Sequence, residues 1–232
     1  MNTTTPLQHF LAQSGGIGQA LFVILIAMSI ASWYFILIKA WLGIRVRRRS
    51  ARFLRMFWDA ATLEQIAERL QQETPEEPFS LLTRHAINAG RHHARHGGER
   101  LQEAGSASEF LTRAMRRIID EETARLEWGL TVLASIASTA PFVGLFGTVW
   151  GVFHTLNNIG QGGAATLEQI AGPVGETLIM TGLGLAVAIP AVLAYNACAR
   201  SNRLVLAKLD AFAHDLFALL TTGALPAVQG ER

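Results

Sequence analysis

The sequence predicts an all-α membrane protein with three transmembrane helices, the second and third of them continuing into long helices on the inner side. Three observations carry this. Half of the 232 residues are hydrophobic and only 16% are charged, a balance that a water-soluble domain of this length does not need. The apolar residues are concentrated in three nearly charge-free runs, Gln19 to Ile38, Trp128 to Leu156 and Gly175 to Ala199, the last interrupted only by Glu176. Each is long enough for the roughly 20 residues that cross a bilayer core. Finally, every Lys and Arg lies in residues 39–125 or 200–232. Short basic loops stay on the cytoplasmic side, so the chain reads out, in, out, in.

Residues 1–18 form a short outer amino terminus and residues 19–41 the first span. No basic residue precedes Lys39, and WLGIRVRRRS follows the apolar run. That is the reverse of a cleavable signal peptide, so the run reads as a retained anchor. The inner region, residues 42–127, is helical and in two parts. ATLEQIAERL places Leu63, Ile66 and Leu70 on one helical face and stops at Pro75 and Pro78. Gly97 to Ser108 is small and polar and reads as a loop. Beyond it, Phe110, Leu111, Ala114, Met115, Ile118 and Ile119 make a stripe that enters the second span, residues 128–156, without a breaker. Span and inner helix are therefore expected to be one rod. An outer loop, 157–169, leads to the third span, 170–199. In the tail, 200–232, Val205, Leu209, Phe212, Leu216 and Leu219 extend that helix. Such stripes imply helices packed together below the membrane.

Several features are set aside on chemical grounds. With positive-inside anchoring to explain the basic residues, a net charge of +2 gives no reason to expect nucleic acid. Cys198 stands alone, excluding an internal disulfide, and reads as a small apolar packing residue. In RHHARH, His92 and His96 share a helical spacing with His93 between them. No carboxylate or cysteine accompanies them and Gly90, Gly97 and Gly98 flank them, so a solvated basic loop is expected rather than a metal site. There is no nucleophilic triad, phosphate-binding glycine loop or dinucleotide fingerprint. No covalent catalysis and no cofactor are expected.

The hairpin of the second and third spans carries the remaining signal. Glu168 and Glu176 are its acids. Glu168 sits in NNIGQGGAATLE and reads as solvated. Glu176 lies within an apolar run, where a carboxyl is costly and counts as a functional candidate; the plainer reading is an acid at the interface paired with a polar neighbour. If the hairpin turns near Gly162, Thr148 and Glu176 stand at equal depth. Thr181 lies five residues beyond Glu176, about 140° around the helix at roughly 100° per residue, and so is expected on another surface. Gly144, Gly147 and Gly151 in PFVGLFGTVWGVFHTL allow close helix approach, and Gly175, Gly182 and Ala186 offer a matching track. Pro141 is tolerated because a membrane helix can kink without ending.

TAPFVGLFGTVWGVFHTL and AGPVGETLIMTGLGLAVAIPAVLAYNACAR together resemble the MotA/TolQ/ExbB proton-channel family, and the three-span pattern agrees. Within it the sequence is more similar to the ExbB branch than to the TolQ branch, and less similar to the four-span flagellar stator proteins. The resemblance implies a bacterial inner-membrane, multi-pass subunit with a periplasmic amino terminus and a cytoplasmic carboxyl terminus. It implies a pentamer whose second and third helices line a pore around an ExbD-like single-span partner bearing an essential aspartate. Proton flow would then energise TonB for uptake of cargo such as iron chelates, or TolA if the chain is TolQ-like. Lipid is the surrounding partner. The proton-pathway residues it implies fall on Glu176, Thr148 and Thr181; His154 is left without a role. A small-solute transporter would need more than one buried acid and inverted repeats, and a structural scaffold would not need Glu176.

Overall fold

The computed structural model describes residues 15–72, 77–96, 107–162 and 167–222. Every regular element in them is a helix: α1, Gly15–Asp59; α2, Leu63–Gln72; α3, Pro78–His96; α4, Ala107–Glu127; α5, Leu130–Gly162; and α6, Leu167–Thr222. Three stretches, Gly16–Asp59, Ser108–Asn157 and Thr177–Thr222, contain a segment long and apolar enough to cross a membrane. At 1.5 Å per residue, the 45 residues of α1 extend about 68 Å, more than twice the roughly 30 Å of hydrocarbon. Much of α1 therefore lies outside the bilayer. The chain divides into two compact units, Met1–Lys39 with Gly129–Cys198, and Ala40–Trp128 with Ala199–Arg232.

The first unit joins the start of α1 to α5 and the first part of α6. Its core is Leu25, Leu130, Leu133, Ile136, Ala140, Met180, Ala188 and Ala191. The rest of its surface is also apolar: Val23, Ile30, Leu37, Phe142, Val149, Leu178 and Leu193 are more than half exposed. A face of that kind is stable only against lipid or another apolar surface.

The second unit is a water-soluble kind of bundle with an aromatic centre. Phe53 and Phe57 of α1, Ile66 and Leu70 of α2, Phe79 and Leu82 of α3, Leu111, Met115 and Ile118 of α4, and Leu209, Phe212 and Leu216 of α6 form one core. The Phe212 ring stands edge-on to Phe57 at 4.9 Å and to Phe79 at 5.5 Å between centroids, an arrangement favoured by the ring quadrupoles. The Asn202 amide donates at 2.7 Å to the Leu126 carbonyl near the end of α4, tying α6 to α4.

The inner region departs from expectation in three places. Pro78 does not merely stop a helix; it begins α3, because proline loses nothing at a first helical position. The buried Glu77 caps that start, its carboxylate accepting from the backbone amides of Phe79 at 3.0 Å and Ser80 at 2.5 Å, and from the Ser50 hydroxyl at 2.9 Å. RHHARH is the last part of α3 rather than a loop; His92 is exposed, and the side chains of His93 and His96 lie outside the described residues. Among the described residues, no group of three potential metal ligands assembles.

The third departure is the expected rod, which is broken. Between α4 and α5, Trp128 and Gly129 form a turn in which Gly129 takes φ +77°, a left-handed conformation that residues with a Cβ rarely adopt. Space is short as well: a Cβ there would lie 2.8 Å from Cδ1 of Phe35. Gly129→Ala is therefore expected to destabilise the protein by about 1–3 kcal/mol, measured by unfolding in detergent; unchanged stability would mean that the turn can relax to a right-handed helix.

His85, on the outer face of α3, also gives a measurable consequence. Partial burial, then the Arg84 and Arg117 charges, lowers its pKa from the ordinary histidine range, with Glu121 opposing. The unfolded chain then takes up a proton first as pH falls, so folding stability declines as pH drops through the ordinary histidine range near 6.5 and below. His85→Gln is expected to reduce that decline in unfolding midpoints measured from pH 7.5 to 5; an identical pH profile would remove His85 as its source.

Candidate functional site

α5 and α6 run antiparallel in the first unit, and their contact is set by missing side chains. A Cβ on Gly144 would lie 2.6 Å from the Met180 carbonyl oxygen and 3.0 Å from Cα of Gly184; one on Gly184 would lie 2.6 Å from the Ala140 carbonyl oxygen. The two backbones touch, which only glycine permits at both positions. One turn along, Gly147 receives the Met180 side chain, whose Cε would be 2.8 Å from an added Cβ. Gly151 in turn receives the Thr177 side chain, whose Cγ2 would overlap an added Cβ. Ala140, Ala188 and Ala191 are buried on the same seam. α5 passes through Pro141 without ending.

The matching track on α6 differs from the expected one. Gly175 and Gly182 have nothing within 4 Å of an added Cβ, and Gly175, Gly182 and Ala186 are exposed. The seam instead uses Thr177, Met180, Thr181 and Gly184. Gly184 and Thr177 were the residues that sequence reasoning passed over. The signal for them is in GETLIMTGLG, where Thr177, Thr181 and Gly184 follow at spacings of four and three and so share one helical face.

This close approach brings the hydroxyls together. Thr148 Oγ1 lies 2.5 Å from Thr181 Oγ1, and it is also within reach of the carbonyls of Thr177 and Gly144, each at 3.2 Å. Thr177 turns its own hydroxyl back to the Val174 carbonyl at 2.8 Å. Thr148 and Thr181 are half-buried and Thr177 is buried. Each hydroxyl can donate and accept at once, so Thr148, Thr181 and the Thr177 backbone form a small hydrogen-bonded cluster in a mostly apolar seam. Thr181, expected on another surface, is Thr148's direct partner. Glu176 is helical and directly precedes Thr177, whose carbonyl Thr148 reaches, so its backbone is within one residue of Thr148's level; Glu168 lies in the first turn of α6, and the side chains of both acids lie outside the described residues. His154 is half-buried on α5, beyond Gly151.

Comparison with known proteins gives this seam a context. Residues 62–211 match the MotA/TolQ/ExbB proton channel family, a stretch that holds α5 and the part of α6 packed on it. The chain belongs to that family. A biopolymer transport protein ExbB from Xanthomonas campestris is 44% identical over 204 residues, covering 87% of this chain and 81% of that protein. An ExbB of Neisseria meningitidis is 39% identical over 199 residues, covering 86% and 90%. A Tol-Pal system protein TolQ from Pseudomonas aeruginosa is 29% identical over 216 residues, covering 93% of each. As a member of a proton channel family with three helices able to span a bilayer, the chain is a multi-pass membrane protein rather than an enzyme, nearer in identity to these ExbB proteins than to this TolQ.

The two glycine sets make different demands. Gly144→Leu forces a side chain into the backbone of α6 and is expected to destabilise the α5–α6 pair by about 1–3 kcal/mol or more. Gly182→Leu meets no atom of its own chain and is expected to leave the unfolding of the isolated chain unchanged. Parallel denaturant titrations in detergent would read both; equal effects would show that the seam does not depend on Gly144.

Proposed function

We propose that the chain is the ExbB-type subunit of a proton-driven motor in the bacterial inner membrane, with its amino terminus periplasmic and its carboxyl terminus cytoplasmic. The observation that carries the reading is the Thr148–Thr181 hydroxyl pair, held across a glycine seam in the part of the chain that matches the proton channel family. In this reading Glu176 is the proton-exchanging carboxyl, and Thr148 and Thr181 orient it or the water beside it. A carboxyl at membrane depth alternates between a charged form that is costly there and a neutral one that is not. A passing proton therefore changes what the helix pair favours around it.

The same reading supplies partners. Copies of the chain assemble as a homo-oligomer, a pentamer by family resemblance, around an ExbD-like single-span protein whose acid completes the pathway. The assembly energises TonB and, through it, uptake of cargo such as iron chelates. The exposed small residues Gly175, Gly182 and Ala186 suit contact with a neighbouring helix in that assembly. The similarity to TolQ favours one second reading, a TolQ-type subunit energising TolA for envelope maintenance.

Glu176→Gln keeps size and polarity but cannot carry a charge that comes and goes. In a strain whose only copy is the variant, it is expected to assemble with its partner and yet abolish growth on a scarce iron chelate. Thr148→Ala is expected to reduce that growth while leaving some, and Thr181→Ala to resemble it, since the two hydroxyls are bonded to each other. Normal iron uptake by an assembled Glu176→Gln protein would exclude the proton-channel role and leave a scaffold. Intact uptake with detergent-sensitive envelopes would point to the TolQ-type reading.

A further inference from the structure

One buried acid of the second unit has no part in the proton pathway and little to hold its charge. Glu122 on α4 is 7% exposed. Among the described residues its carboxylate has a single partner, Oε1 accepting from Arg125 Nη1 at 3.5 Å. That is longer than a well-formed hydrogen bond, and the Arg125 side chain is itself 59% exposed. The nearby Glu77, equally buried, is differently placed. Its two oxygens accept from the Ser50 hydroxyl and from the amides of Phe79 and Ser80. A buried carboxylate with one long contact is costly when ionised, and a fully bonded one much less so.

Glu122 borders a recess of about 180 Å³ where α1, α3 and α4 join, walled by Leu42 and Val46 of α1, Pro78 of α3 and Leu126 of α4. Pro78 directly follows Glu77, so both buried acids stand at this corner. Three arginines also line it, Arg125 of α4 and Arg45 and Arg49 of α1, and no lining residue comes from α6. Arg45 and Arg49 are each already engaged in an interaction, so neither is a free cation for Glu122. Burial, above all, raises the Glu122 pKa from the ordinary glutamate value; the Arg125 charge and hydrogen bond oppose this, and the Glu77 and Glu121 charges add to it.

We infer that Glu122 is a proton-operated latch of the inner bundle, closing the corner between α1, α4 and the start of α3 when it binds a proton and loosening it when it ionises. The neutral carboxyl lets Leu42, Val46, Pro78 and Leu126 close on one another. The ionised one needs water, and the recess has room for a few molecules at roughly 30 Å³ each. Because the folded-state pKa is the raised one, the stability that neutral Glu122 contributes is fully present below the ordinary glutamate value of 4.5. It is lost as pH rises through the raised value. On the proposed orientation this corner is cytoplasmic, so a fall in cytoplasmic pH closes it. The inference otherwise rests on side chains of the second unit alone and stands or falls apart from Glu176.

The test follows amide exchange in the first turn of α3, Phe79 to Thr83, and denaturant midpoints of the full-length protein in detergent from pH 5 to 8. His85 gives the opposite slope over part of this range, so every protein compared carries His85→Gln. In that parent, protection of the first turn, corrected for intrinsic exchange, is expected to fall several-fold as pH rises. Glu122→Gln, uncharged throughout, is expected to keep the low-pH protection at every pH and to exceed the parent's midpoint at pH 8. Arg125→Gln changes an exposed side chain and removes the partner of the ionised form. Its fall in protection is expected to be larger and to extend to higher pH, which gives a reading if Glu122→Gln folds poorly. A pH profile that Glu122→Gln leaves unchanged, or an Arg125→Gln profile identical to the parent's, would overturn the latch. So would a Glu122→Gln protein less protected than its parent at every pH, since the carboxylate's hydrogen bond and not its proton would then hold the corner.

Discussion

The contact between Gly144 and Gly184 is the constraint on which the membrane part of this protein depends. Lipid gives helices no hydrophobic reason to associate, so close packing and buried polar contacts must do the work. With two facing positions lacking a Cβ, the backbones of α5 and α6 meet, and an added Cβ on either would lie 2.6 Å from a carbonyl oxygen of the other helix. That contact fixes the sliding register of the pair. Once it is fixed, Gly147 must face Met180 and Gly151 must face Thr177, and the Thr148 hydroxyl is delivered to Thr181. The polar pair is a consequence of the glycine contact, since a hydrogen bond of 2.5 Å across a helix interface needs backbones nearer than ordinary side chains allow.

The two units answer to different solvents, and their surfaces show it. In the second, large apolar side chains point inward around Phe212 and most charged ones outward, the buried Glu77 and Glu122 excepted. In the first, large apolar side chains also cover the outside while the small ones line the seam. The inversion follows from lipid being as apolar as the core: nothing is gained by hiding Phe142 or Leu193, and something is gained by letting helices approach. α1 and α6 each contribute to both units, so one continuous helix must present a lipid-facing surface over part of its length and a core-facing stripe over the rest. This is why neither has one amphipathic face from end to end, whereas the ten-residue α2 does.

Much of this was legible in the sequence, for reasons that can be located. The three apolar runs and the tail stripe of Leu209, Phe212 and Leu216 are properties of single helices, which periodicity reports directly. The features that escaped involve a second element. Pro78 read as a stop because its role as the first residue of α3 depends on capping by Glu77, a buried acid anchored by Ser50 from α1. Gly129 lay inside an apolar stripe that continues on both sides, and its left-handed turn is accompanied by the Phe35 ring pressing on it. Gly175 and Gly182 match the α5 glycines by small size alone, and Thr181 is placed off the seam only by its angle to Glu176; the contact with α5 selects the face that carries Thr177, Thr181 and Gly184.

That choice of face separates the small residues of α6 into two groups with different work. Gly184, Ala188 and Ala191 are consumed by the contact with α5 in the same chain. Gly175, Gly182 and Ala186 lie on another side, exposed, among large residues such as Leu178, Ile179 and Leu185. A helix facing only lipid has no need of glycine there, because bulky side chains fill the acyl layer better and glycine weakens the helix. Small residues on an exposed membrane face are useful where another helix comes close. On the proposed oligomeric reading, the chain carries one track that folds it and a second left for a neighbouring helix, and Glu176 follows Gly175 directly, at the start of that second track.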